Sequence, residues 1–144
     1  MQYKYAPKKI LCEEFIHNDC DSAIPDYKVY CFNGIPRAIF VMHGRDTEIK
    51  TEFFDTDWNK LPNSNNYGEP LVPTPKPKCL DKMLNVSTTL SKPFPFVRCD
   101  YYVVKNKLYF GELTFTPSGC LDSSETVVNG KTMAELLDIS SLLS

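Results

Sequence analysis

Residues 96–104, FVRCDYYVV, and 108–116, LYFGELTFT, separated by Lys105-Asn106-Lys107, decide the fold of this chain. Both runs are rich in aromatic and β-branched residues, the composition of strands, and the second stops at Pro117, Ser118 and Gly119. Side chains alternate along a strand, so Arg98, Asp100 and Tyr102 share one face of the first. On the second, Phe110, Glu112, Thr114 and Thr116 share a face, while Tyr109, Leu113 and Phe115 form the other, which reads as core. Register then decides whether the two polar sets meet. A three-residue turn with Asn106 in the left-handed region pairs Val104 with Leu108, Asp100 with Glu112 and Arg98 with Thr114. A two-residue turn would put Asp100 and Glu112 on opposite faces.

Two carboxylates opposite one another across a hairpin repel. A divalent cation reverses that sign. Mg²⁺ takes oxygen ligands, typically one or two carboxylates with phosphates and water. Asp100 and Glu112 supply the carboxylates, the Thr114 hydroxyl is a further donor, and Arg98 is placed to meet phosphate oxygens bidentately. The spacing is equally compatible with a solvent-facing Arg–Asp–Glu network that binds nothing.

Working outward, residues 26–32, DYKVYCF, and 37–43, RAIFVMH, are strands joined through the hairpin signal Asn33-Gly34, and 48–55, EIKTEFFD, makes a third strand. Lys28 is either a cation for phosphate or a sheet lysine paired with Asp26 or Glu48. Residues 9–16, KILCEEFI, read as a further strand. Residues 59–78, with Pro62, Pro70, Pro73, Pro75 and Pro77, form a long loop. Leu80, Met83, Leu84 and Leu90 mark an amphipathic helix over 79–91, ended by Pro93 and Pro95. Residues 131–143 read as a last helix, capped by the turn at Asn129-Gly130, and Trp58 reads as packing. The pattern is α+β, an antiparallel sheet with flanking helices in a single domain over 1–144, not alternating βαβ units.

With 16 basic against 18 acidic residues the chain offers no basic field, so nucleic acid is not an expected partner. The N-terminus carries no apolar run of signal-peptide type and no stretch is long and apolar enough to span a membrane, so the expected location is the cytoplasm. Cys12, Cys20, Cys31, Cys79, Cys99 and Cys120 include no CxxC pair and read as reduced, mostly buried small hydrophobes.

Arg98-Cys-Asp100 followed by Glu112-Leu-Thr114-Phe-Thr-Pro117-Ser-Gly119 resembles the metal-binding end of ATP-grasp ligases. More narrowly, PFVRCDYY, LYFGELTFTPSG and DYKVYCFNG resemble the TupA-like ATP-grasp family, linked to teichuronopeptide and cell-surface polysaccharide biosynthesis. The resemblance runs from about residue 9 to 121 and covers the C-terminal half of a family about twice as long. It implies an ATP-grasp-like C-terminal subdomain, with Mg²⁺ and ATP as cofactors. Phosphoryl transfer to a carboxylate of unknown identity would be followed by attack of an amine on the acylphosphate. It implies Asp100 and Glu112 as metal ligands with Thr114 at the position where the general pattern has Asn, and Arg98 as the catalytic cation. Glu13, Glu14, Phe15 and Ile16 correspond to the hinge that borders adenine, Glu13 being the better match for the ribose. Since the other wall of the cleft belongs to the upstream half, a partner chain or self-association is expected to complete it. Two alternatives stand beside the ligase: a truncated, non-catalytic or partner-dependent nucleotide-binding module, and a glycosyltransferase, for which only Asp55-Thr-Asp57 offers a DxD pair.

Overall fold

The computed structural model of the chain describes residues 5, 7–17, 23–45, 47–62, 67–120 and 127–140. Its centre is an antiparallel sheet of six strands in the order β4-β3-β2-β1-β5-β6. These are β1 (Asp26–Phe32), β2 (Ile35–His43), β3 (Lys50–Phe54), β4 (Lys60–Leu61), β5 (Phe96–Val104) and β6 (Lys107–Thr114). One long helix, α1 (Leu80–Ser91), covers one face, and a small hairpin, β7 (Val127–Val128) with β8 (Lys131–Thr132), leads into the short α2 (Met133–Leu136). Strands and helices segregate rather than alternate, as the α+β reading requires.

Three two-residue turns set the hairpins. Asn33-Gly34, Lys105-Asn106 and Asn129-Gly130 all have positive φ at both positions, the twist-matching turn that Asn and Gly tolerate best. The first was expected. The second overturns the three-residue turn at Lys105–Lys107, because Val104 pairs with Lys107 and Lys105 itself takes φ 51. The third is a hairpin turn rather than a helix cap. Among the described residues the last helix is correspondingly only Met133–Leu136, begun by a capping box in which Thr132 and Glu135 satisfy each other's backbone N–H groups; positions 141–143 of the expected helix lie outside the described residues.

The core lies between α1 and one sheet face. Val29, Cys31, Ile39, Val41, Val97, Cys99 and Tyr101 from β1, β2 and β5 meet Leu80 and Met83, all essentially buried. Ser87 of α1 joins this face by a 2.8 Å hydrogen bond to the Tyr101 hydroxyl. Trp58 stacks on Phe54 at 4.2 Å and donates to the Thr74 carbonyl, so its reading as packing holds. Cys31 and Cys99 are buried and Cys79 is half-buried, but Cys12 is exposed, contrary to the expectation of a buried strand position. Cys20 and the side chain of Cys120 lie outside the described residues.

The strand expected over 9–16 does not form: residues 7–17 carry no regular element and are mostly exposed. The reason is topological. Both sides of β1 are taken by β2 and β5, so no ladder is open beside the segment's own neighbour in the chain. In the region 59–78 only β4 is regular among the described residues, and side chains pin the rest. The fully buried Glu52 accepts from the Thr74 N–H at 2.9 Å and from the Thr74 hydroxyl. Since that hydroxyl proton points at Glu52, His43 Nε2 must donate to Thr74 Oγ1, at 2.7 Å.

Burial holds the His43 imidazole below its ordinary 6.5, although nearby Glu52 pulls it up. Because the folded value lies below the unfolded one, the unfolded chain takes the proton first. This contribution to stability is therefore full above about 6.5 and is lost as pH falls through it toward the folded value. Thermal melts should show a smaller decline from about pH 7 to about pH 5 for His43→Gln than for the wild type. Parallel declines would show that His43 does not couple.

Candidate functional site

The face of the sheet opposite α1 carries the charges. Alternation along the paired strands puts Asp26, Lys28, Tyr30 and Phe32 of β1 in register with Tyr102, Asp100, Arg98 and Phe96 of β5. β6 reaches the same face by a bulge. From the turn, Tyr102 pairs with Tyr109 and Tyr101 with Phe110; beyond the irregularity, Cys99 pairs with Leu113 and Arg98 with Thr114. Gly111 and Glu112 together stand against Asp100, the two-against-one count of a β-bulge. The two-residue turn alone would have sent Glu112 to the core face. The extra residue restores it. The bulge also exchanges two aromatic residues relative to strict alternation. Phe110 lies on the core face, edge-on to Tyr101 at 6.0 Å, and Tyr109 lies on the charged face beside Tyr102.

The side chains form a continuous polar row. Lys28 Nζ sits 2.6 Å from Asp26 Oδ2 and 2.9 Å from Asp100 Oδ2. Arg98 grips Asp100 with two nitrogens, Nε to Oδ1 and Nη2 to Oδ2, both at 2.7 Å. Its Nη2 also donates to Thr114 Oγ1 at 3.2 Å, and Thr114 donates to Glu112 Oε1 at 2.9 Å. Arg45, from the loop between β2 and β3, donates to Asp26 Oδ2 at 2.7 Å. Burial pulls the Arg98 guanidinium down, but its hydrogen bonds and attraction to Asp100 outweigh this and leave it raised. Asp26, Lys28 and Asp100 are buried, whereas the Glu112 side chain is 66% exposed.

Arg98, Asp100, Glu112 and Thr114, singled out from sequence, are therefore brought together, and Lys28 joins them. Lys28 pairs with Asp26 as one of its two readings held, and with Asp100, which neither reading included. Glu13, Glu14, Phe15 and Ile16 are not brought to the row: among the described residues no hydrogen bond or ion pair ties them to it, and the Phe15 ring lies edge-on to that of His17 at 5.0 Å. Asp26 was named only as a partner for Lys28, and Arg45 was missed. Asp26 shares the alternation of Lys28, a usable signal, but the link to Arg45 crosses a loop and has none in sequence.

Among the described residues no three His, Cys, Asp or Glu side chains converge as a metal cluster. Two carboxylates with a hydroxyl nonetheless fit what Mg²⁺ asks of a protein when phosphate and water complete its shell. Asp100 already has both oxygens engaged by Arg98 and Lys28, so Glu112 is the carboxylate that faces outward. A shallow depression of about 450 Å³, lined by Lys82, Asn85, Val86, Thr89 and Leu90, lies on the outer side of α1, across the sheet from this chemistry.

A hairpin bearing Arg-x-Asp on one strand and Glu-x-Thr on the next, at the edge of an antiparallel sheet, is, apart from Thr114 in place of Asn, the arrangement expected of an ATP-grasp-type domain. The family model described as TupA-like ATPgrasp matches residues 1–136 of the 144, and the chain belongs to that family. No curated protein and no solved structure matches it significantly. Among the described residues no helix is long and apolar enough to cross a membrane.

Proposed function

We propose that this chain is an Mg²⁺- and ATP-binding domain of carboxylate–amine ligase type, acting in cell-surface polysaccharide or teichuronopeptide synthesis through an acylphosphate. The observation that carries the reading is the single row of Arg98, Asp100, Thr114 and Glu112 in a member of an ATP-grasp family. In it Asp100 and Glu112 are the metal ligands, with Thr114 beside them, and Mg²⁺ supplies charge neutralisation for the phosphates when bound. Arg98 and Lys28 are the cations that meet phosphoryl oxygens, and a fixed guanidinium is suited to charge that develops during phosphoryl transfer. Residues 13–16 are assigned to the adenine and ribose. Ile10, Leu11 and Phe15 are 99%, 86% and 77% exposed, which supports a further polypeptide surface, from a partner chain or a second copy, covering this segment in the working cleft.

The second reading, a non-catalytic module, is favoured by one observation: both oxygens of Asp100 are engaged by Arg98 and Lys28 without a ligand. The glycosyltransferase reading loses its motif, because Asp55 is spent capping the turn through the N–H groups of Asp57 and Asn59. Calorimetric titration with ATP, with and without Mg²⁺, separates the first two. Binding that requires Mg²⁺ and falls at least about tenfold in Glu112→Gln supports the ligase-type site. No binding at millimolar nucleotide would leave the non-catalytic reading.

A further inference from the structure

Arg45 belongs to no motif, and tertiary contact alone places it. Its Nη2 lies 2.7 Å from Asp26 Oδ2, and the same oxygen takes Lys28 Nζ at 2.6 Å. Two cations from different elements are thus gathered on one oxygen of a buried carboxylate. The other oxygen, Oδ1, is also buried and has no hydrogen-bond partner. The Arg45 side chain is 61% exposed while that of Asp26 is 5% exposed. The guanidinium is tethered at one nitrogen and turned outward with the rest of its donor fork.

Arg98, Lys28 and Arg45 face Asp26, Asp100 and the exposed Glu112, so the row is balanced in charge, and Arg45 is the most exposed of its three cations. Three cations spaced along a row suit an extended polyanion better than a single carboxylate, which one guanidinium can satisfy.

We propose that Arg45 contacts the phosphate oxygens of a magnesium-bound polyphosphate in this site, with Asp26 as the positioning residue that holds Arg45 beside Lys28. The inference rests on the nucleotide reading above and adds a residue to it. The Arg45 side chain is mostly exposed and Lys28 stays on Asp26 when Arg45 is removed, so the loss of Arg45 costs the fold less than the loss of Lys28 would.

The test is titration of the full chain with magnesium tripolyphosphate, and with citrate as a carboxylate probe. It compares wild type, Arg45→Gln, and Lys82→Gln on the far side of α1. Arg45→Gln should weaken tripolyphosphate at least about tenfold while circular dichroism shows it folded, and Lys82→Gln should change it less than about twofold. In an Asp26→Asn background, Arg45→Gln should add less than about twofold, since the tether is already gone. Wild-type affinity in Arg45→Gln would overturn the role of Arg45 and leave the nucleotide reading standing. Equal weakening of citrate and tripolyphosphate would overturn the phosphate assignment. Absence of tripolyphosphate and ATP binding in the wild type would overturn both.

Discussion

Lys28→Met is expected to destabilise the fold by about 3–5 kcal/mol in urea denaturation, the range for removing one partner of a buried ion pair. Methionine matches the unbranched stem of lysine up to Cε, so the loss reports chiefly on the ammonium. That ammonium is buried between two carboxylates, at 2.6 Å from Asp26 and 2.9 Å from Asp100. Arg45 remains on Asp26 and Arg98 on Asp100, which places the expected cost toward the lower end of the range. The double variant Lys28→Met with Asp26→Asn should recover part of the loss, because the stranded charge is removed with its partner. A Lys28→Met protein within about 1 kcal/mol of the wild type would show that the ammonium is not held as described.

Gly111→Val should abolish magnesium-dependent nucleotide binding, whereas deletion of Gly111 should preserve it. The contrast follows from register. A Cβ at position 111 would come within 3.2 Å of the Asp100 carbonyl oxygen and 3.4 Å of the Tyr102 ring, so a branched side chain presses on the backbone of β5. The strain favours an unbulged ladder, in which Gly111's position pairs with Asp100 and Glu112 turns to the core face. Deletion also removes the bulge, but Glu112 then moves up to the position opposite Asp100 and stays on the charged face. Calorimetry with Mg²⁺ and ATP reads both variants, and circular dichroism reports whether each remains folded. If the deletion abolished binding while Gly111→Val kept it, the bulge would not be what places Glu112.

Much of this was legible in the sequence because it depends on neighbours along the chain. The Asn33-Gly34 turn, the alternating strands 26–32 and 96–104, and the helix from Leu80 follow from local backbone preference and hydrophobic period. The family motif brought out Arg98, Asp100, Glu112 and Thr114 together. The expected pairing of Arg98 with Thr114 is present, but by a different route: a two-residue turn and a bulge, not a three-residue turn. The local residue that separates the two routes is Gly111, a glycine inside a strand that makes room for the bulge, a signal that spacing alone leaves unused.

The composition and order of residues by themselves determined an α+β chain with a charged hairpin and the chemistry that hairpin can offer. Tertiary structure alone decided how those charges are satisfied. The antiparallel pairing of β1 with β5 set Lys28 against Asp100, the loop after β2 returned Arg45 to Asp26, and the occupied sides of β1 left residues 9–16 without a ladder. Each is a contact between segments far apart in sequence, and which groups meet there depends on register and strand order, which no short window of residues encodes.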